Sequence, residues 1–326
     1  MTAKSVLFLG GTGIISSASV ALAAERGWEV TVLNRGESTK RPLPDGIETL
    51  QADVRDTEAV TAAIGNRRFG VVADFLSFTP GQLHLDTFRD RTGQYVFISS
   101  ASAYQTPPSR LPITESTPLR NPFWEYSRNK IACEDVLVAE YRASGYPLTI
   151  VRPSHTYDRT ALPTLGGWTD VERMRRGAPV VVHGDGSSLW TITHTRDFAV
   201  GFVGLLGHPA AIGEAFHITG DEAPTWDAIY RALGAAAGVE PEIVHVTSDV
   251  IAAAAPDLGA GLLGDKTHSS VFDNSKLKAL VPDFGQRTLF SDGAREIVEW
   301  YDADESRRVV DAETDSLFDR LLADRG

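Results

Sequence analysis

Val6-Leu7-Phe8-Leu9-Gly10-Gly11-Thr12-Gly13-Ile14-Ile15-Ser16 opens the chain with a strand, a turn and the start of a helix. Four consecutive large apolar residues form the kind of short run that is buried on both faces of a parallel sheet. The glycines end that run, and a helical pattern over 14–26 follows until Gly27, a residue suited to the left-handed backbone past a helix end. A glycine pattern in this context reads as a dinucleotide-binding loop. Gly10 permits the tight turn, Gly13 lets the backbone approach a pyrophosphate, and the helix N-terminus adds its positive end. Ser16 stands where a third glycine would bring helix and strand together, and it is small enough to keep the reading. Gly10, Gly11, Thr12, Gly13, Ile14 and Ile15 are therefore candidate cofactor contacts.

Working outward, strands are predicted at 29–33, 47–50, 71–76, 95–98 and 147–151, with helices at 57–63 and 124–144 and a turn at Thr79-Pro80-Gly81. Strands separated by helical stretches predict an α/β fold, a Rossmann-type doubly wound parallel sheet with helices on both faces. That domain is expected to span 1–153, with returning segments from the C-terminal half. Beyond Arg152-Pro153 the elements shorten and Gly and Pro become frequent, with helices near 171–176, 197–206, 226–237 and 292–302. Residues 154–326 are expected to form mainly a smaller C-terminal α/β substrate lobe over the strand ends, where open α/β sheets bind ligands. The alanine-rich 251–255 reads as helix or linker, and the charged 301–326 as a surface helix.

At 326 residues the chain exceeds one compact domain, which agrees with a main unit plus a lobe. A formal charge of −12 opposes a nucleic-acid groove, whose affinity comes from clustered Lys and Arg. The single cysteine, Cys133, excludes an intrachain disulfide and reads as a small core residue; no His and Cys spacing suits zinc, so no metal is expected. The N-terminus enters a strand without a basic and then apolar leader, and no run approaches the ~18 apolar residues of a membrane span. A cytoplasmic protein with a small-molecule substrate is the expectation.

Tyr126 and Lys130 stand four apart on the helix predicted at 124–144, so phenol and ammonium share one face. A neighbouring cation favours phenolate and moves a tyrosine from its usual ~10 toward neutrality, where it exchanges protons with an alcohol or ketone. At the adenosine end, Leu33-Asn34-Arg35-Gly36 closes the second strand with no acid to hold a ribose hydroxyl. Arg35, next to Asn34, suits a 2′-phosphate, so NADP(H) is favoured over NAD(H). Asp53 and Val54, after the third strand, are placed to hold the adenine.

Together these residues resemble the extended short-chain dehydrogenase/reductase superfamily, the branch of NAD(P)-dependent epimerases and dehydratases. The likeness runs from residue 4 to about 300 and includes Phe97-Ile-Ser-Ser100-Ala-Ser-Ala-Tyr104, Val151-Arg152-Pro153, Gly184-Asp185-Gly186, His194-Thr-Arg-Asp197-Phe-Ala199 and Phe216-His-Ile-Thr219. The resemblance implies that Tyr126 is the acid/base, that Lys130 lowers its pKa and binds the nicotinamide ribose, and that Ser100 holds the reacting oxygen. Ser99 and Ser102 compete for the last role, and the offset from Ser100 to Tyr104 favours Ser100. Pro153, Ser154 and His155 are implied on the nicotinamide side, with Leu76 and Ser77 among the cofactor contacts. His194 and Asp197 fix the lobe. A homodimer is also implied, pairing the helix of Tyr126 with its mate in a four-helix bundle.

Two departures narrow the chemistry. Nucleotide-sugar dehydratases similar to this chain carry an Asp-Glu pair where Ala101-Ser102 stands, which argues against a 4,6-dehydratase. Epimerases similar to it place a diphosphate-clamping arginine where Trp190 stands, and a second before Gly264-Asp265, where this chain has Gly261-Leu262-Leu263. Either the substrate lacks a diphosphate, which we favour, or cations such as Arg173, Arg175 and Arg176 serve it. Trp168 and Trp190 would then offer flat faces to a sugar or aglycone, with Ser102 as a further substrate contact. The expected activity is oxidation or reduction, or epimerisation through a bound ketone, at a carbinol of a sugar-like, glycoside or nucleoside substrate. The alternative is a non-catalytic RNA-binding or scaffold member.

Overall fold

The computed structural model describes residues 4–38 and 40–323. Its first half alternates strand and helix: β1 (Ser5–Leu9), α1 (Ile14–Glu25), β2 (Glu29–Asn34), β3 (Glu48–Gln51), α2 (Thr57–Ile64), β4 (Val71–Asp74), α3 (Leu85–Phe88), β5 (Tyr95–Ile98), α4 (Glu125–Ser144) and β6 (Leu148–Pro153). The fourth strand stops at Asp74, short of the predicted 76. Its carboxylate accepts from the N–H groups of Leu76 and Ser77, each at 3.0 Å, and turns the chain out of the sheet. The second half holds β7 (His155–Tyr157), α5 (Trp168–Arg175), β8 (Val180–His183), β9 (Ile192–His194), α6 (Thr195–Leu205), β10 (Ala215–Ile218), α7 (Trp226–Ala237), β11 (Ile243–Val246), α8 (Ser248–Ala254), α9 (Pro256–Gly261), α10 (Ser275–Leu280), α11 (Phe290–Asp302) and α12 (Ala312–Ala323).

Seven strands form one parallel sheet in the order β10-β6-β5-β4-β1-β2-β3. The strand order reverses between β1 and β4, and the crevice above that point is where such sheets take ligands. Residues alternate faces along each strand, so Val6 and Phe8 look one way and Leu7 and Leu9 the other. α1 and α6 cover the first face with Val20, Ala23, Phe198 and Phe202, while α2 and α4 cover the second with Val60, Ile64, Cys133 and Leu137. α6, predicted as a lobe helix, packs on α1 and belongs to the layers of the main sheet. Cys133 is a core residue, and burial pushes its thiol up to about 11.

Two short parallel pairs, β8 with β11 and β7 with β9, build the remainder with α5, α7 and α11. α12 corrects the expectation of a surface helix. It buries Leu317, Phe318 and Leu321 against Val181, Val246 and Ile251. Its carboxylates also answer two of the three arginines offered as phosphate ligands, Arg173 pairing with Asp315 and Asp319 and Arg176 with Asp315, while Arg175 pairs with Asp302 of α11. Those cations hold the lobe together.

α4 is fixed to the sheet by a buried ion pair, in which Arg152 of β6 donates from Nε to Glu134 Oε1 at 2.9 Å and from Nη2 to Oε2 at 2.5 Å. The guanidinium also lies over the Tyr104 ring, 4.9 Å from its centre. The arginine of the Arg-Pro motif is thus a clamp on the helix that carries Tyr126. Replacing Glu134→Ala leaves that guanidinium buried without its partner, and urea denaturation should show a loss of about 3–5 kcal/mol. Breaking the surface pair Arg89–Glu140 in the same way should move the curve far less.

Candidate active site

One cavity of about 1010 Å³ runs along the strand ends. The glycine turn with Asn34, Arg35, Asp53 and Val54 lines one end; Leu76, Ser100, Tyr126, Lys130, Pro153, Ser154 and His155 line the middle; Trp124, Trp190, Asp265, Lys266 and Phe272 line the far end. The cofactor residues inferred from the sequence share this space, with one exception. Ser77 is fully buried and outside it, its hydroxyl lying 2.6 Å from Asp74 Oδ2 and 2.7 Å from the Gln82 carbonyl, two acceptors for its single proton.

The turn fits a dinucleotide. Gly10 has φ +86°, and a Cβ there would meet Leu76 Cγ at 2.9 Å. At Gly11 a Cβ would meet Val32 Cγ1 at 2.7 Å, so side chains are excluded where a pyrophosphate must approach the backbone. Ser16 does more than tolerate the position of the third glycine, because its hydroxyl accepts the Gly13 N–H at 2.9 Å. At the adenosine end Arg35 pairs with Glu37 at 3.0 Å, and Asn34 accepts from the Gly36 N–H at 2.8 Å. Arg55, which the sequence analysis missed, clasps Asp53 at 2.6 Å and holds that carboxyl well below the usual range. Two guanidinium groups therefore flank this mouth.

In the middle, the Lys130 ammonium donates to the carbonyls of Ser77 at 2.7 Å and Ile98 at 2.8 Å, and faces the Phe78 and Phe97 rings at 4.6 and 4.9 Å. It lies 5.9 Å from the Tyr126 ring centre. Here the expectation of a lowered tyrosine pKa gives way. Burial pushes the Tyr126 phenol up to about 12, the Ser100 hydroxyl pulling it down and the Asp265 charge adding to the rise. Desolvation lowers the Lys130 ammonium to about 8, against the charge of Asp74. The lysine, engaged with main-chain oxygens, does not outweigh the loss of water around the resting phenol.

Ser100 is held by a hydroxyl chain, 2.8 Å to Ser102 and a further 2.7 Å from Ser102 to buried Ser127. Ser102 lines the cavity, as expected of a substrate contact, and its hydroxyl also supports Ser100 through these two hydrogen bonds. Ser99 also lines the cavity, but its hydroxyl is buried without a hydrogen-bond partner and does not join the Ser100 chain. His155 is kept neutral, its pKa lowered to about 3 by burial and then by the Lys266 charge. Trp190 lines the far end, whereas Trp168 does not. Trp168 stacks on Tyr301 with ring centres 4.3 Å apart, donates to Glu172 at 3.0 Å and is a lobe core residue, since the flat face expected for substrate is taken by another ring. The walls near the adenosine end are tied together: Arg41, in the β2–β3 connection, donates from Nε to Asp158, after β7, at 2.5 Å, and also reaches Thr160. Among the described residues no cluster suits a metal ion, and no helix is long and apolar enough to cross a membrane.

A profile of the NAD dependent epimerase/dehydratase family matches residues 81–219, the stretch that carries Ser100, Tyr126 and Lys130. Over that stretch the chain is similar to this family. The fold superimposes with a TM-score of 0.73 on dTDP-glucose 4,6-dehydratase of Bacillus anthracis in complex with NAD, at 20% identity, covering 93% of this chain and 97% of that one. In sequence it is 27% identical over 291 residues to 2′-dehydrokanamycin reductase of Streptomyces kanamyceticus, covering 86% of this chain and 80% of the relative. It is also 27% identical over 257 residues to a chloroplast stem-loop binding protein of Arabidopsis thaliana, covering 74% of this chain and 66% of the relative.

Asp74 is the acid that keeps the Lys130 ammonium from losing its proton more readily still. Asp74→Asn should move the Lys130 titration below about 8, read from the pH dependence of the lysine side-chain NMR shift. An unmoved titration would mean that the buried carboxylate acts only on its own turn.

Proposed function

We propose that this protein is an NADP(H)-dependent reductase of a ring ketone on a glycoside without a diphosphate, acting in the opposite direction as a dehydrogenase of the corresponding secondary alcohol. One observation carries the reading. Ser100, Tyr126 and Lys130 share a cavity with the glycine turn, while the far end of that cavity, among the described residues, bears no arginine to clamp a diphosphate. The likeness to 2′-dehydrokanamycin reductase supports a glycoside ketone over a nucleotide sugar. Arg35 and Arg55 at the adenosine mouth support a 2′-phosphate and hence NADP(H) over NAD(H).

A nicotinamide cofactor, which the glycine turn and the Pro153–His155 segment would hold, would supply the hydride for the carbonyl carbon. Tyr126, protonated through neutral pH, gives its proton to the oxygen, and Ser100 holds that oxygen in line. The Lys130 ammonium, close behind the phenol, stabilises the transient phenolate until solvent returns the proton. Sum and charge balance as ketone, reduced cofactor and one proton to alcohol and oxidised cofactor.

Tyr126→Phe should reduce ketone turnover by on the order of 10²–10⁴-fold with cofactor binding retained, measured from cofactor absorbance and fluorescence. Product formed with no net change in the cofactor would instead mark an epimerase. Because the lysine charge is present below its pKa and lost above it, kcat/KM for reduction should hold at neutral pH and fall as pH rises through about 8. A rate still flat well above that value would remove Lys130 from the mechanism. Arg35→Ala should weaken NADPH binding and spare NADH, since only the former offers a phosphate to the lost guanidinium.

Similarity to the stem-loop binding protein favours a second reading, an RNA-binding member without turnover. The formal charge of −12 opposes it. Salt-sensitive binding of stem-loop RNA together with equal inactivity of wild type and Tyr126→Phe would establish it. The reading also includes a cytoplasmic protein and a dimer formed through α4, whose exposed face carries Val136 and Tyr141; α3 beside it is only one turn long, so the pairing would rest mainly on α4. Sedimentation at micromolar concentration checks the dimer.

A further inference from the structure

The far end of the cavity already holds an ammonium. The Lys266 Nζ lies 5.7 Å from the Trp124 ring centre, 5.4 Å from that of Trp190 and 3.3 Å from Asp265 Oδ2. Both indole faces present negative charge to a cation, and the carboxylate adds a full one. The box is built rigidly. Buried Asn121 donates to the Gly264 carbonyl at 2.6 Å and accepts from the Trp124 N–H at 3.1 Å, joining the two walls. A Cβ at Gly264 would meet Trp124 Cβ at 2.7 Å, so only glycine allows the approach. The Lys266 carbonyl is held by His183 at 3.1 Å and by the Trp226 indole N–H at 3.3 Å. Leu262–Lys266 winds as a π-helical turn, a form that recurs at functional sites.

We infer that this box is a recognition site for a substrate ammonium group, with Asp265 as the specificity residue, so that the glycoside reduced at Tyr126 bears a primary amine near its reacting carbon. Two aromatic faces and a carboxylate favour a cation, and only Lys266 opposes one. A substrate anion would have to approach the same faces and the same carboxylate against their charge. On arrival a substrate amine shares Asp265 with Lys266, whose four-carbon stem lets its head swing toward the open cavity. The inference rests on the glycoside reading above and names which glycosides qualify.

The test separates the two. Binding of kanamycin and of its per-N-acetylated form to the NADP-loaded protein is followed by tryptophan fluorescence, which needs no turnover. The free amine form should bind at least about tenfold more tightly, a difference of about 1.4 kcal/mol, and Asp265→Asn should remove that preference while Lys266→Met keeps or enlarges it. Equal binding of both forms, binding of neither, or a preference that survives Asp265→Asn overturns the inference. Selective binding without reduction of an amine-bearing ketone would leave the ammonium site standing and refute the reductase.

Discussion

The ammonium of Lys130, taken out of water and set on two main-chain carbonyls, is the contact on which the site depends. Ile98 ends β5 and Ser77 lies just beyond β4, so the lysine joins a helix to the edges of two adjacent strands. This fixes the rotation of α4 and with it the direction of Tyr126. Desolvation makes the charge costly, which is why a buried carboxylate, Asp74, stands behind it, itself filled by Leu76, Ser77 and Tyr95. The Glu134–Arg152 pair works on the same helix one turn further along. Charges inside the core, rather than grease, set the register of the helix against the sheet.

Along the cavity the electrostatic character changes in three steps. Guanidinium groups mark one mouth, a neutral histidine, a protonated phenol and the Lys130 ammonium occupy the middle, and the Asp265–Lys266 pair with two indoles closes the far end. A polar cofactor would be met by opposite charge at one end, while the reacting carbon would sit beside the Lys130 ammonium, a fixed charge that favours proton movement out of the Tyr126 phenol.

The strands were legible because parallel strands buried on both faces leave unbroken apolar runs, as Val6 to Leu9 shows. α4 was legible only through its chemistry: its buried stripe is Ser127, Lys130, Cys133, Glu134 and Leu137, two of them charged, and no hydrophobic period marks such a face. Trp168 and Trp190 looked alike in the chain, yet one stacks on Tyr301 and the other reaches the cavity, a difference made by partners distant in sequence. Asp265 and Lys266 had no local signature to find, since their neighbours Trp124 and Trp190 arrive from other elements. Tyr126 was placed correctly in the cavity but its acidity was misjudged, because spacing along a helix reports proximity to a cation and says nothing of lost hydration.

The tie between Arg41 and Asp158 bears on the width of the cleft. Arg41 extends from the loop whose residues 35–38 border the cleft, and Asp158 follows the segment 153–156 that borders it opposite. Both side chains are largely shielded, at 14% and 13% exposure, so prising the two banks apart strands each charge briefly before water reaches it. The pair thus holds the two banks at a fixed separation, so the width of the cleft is set by the protein itself.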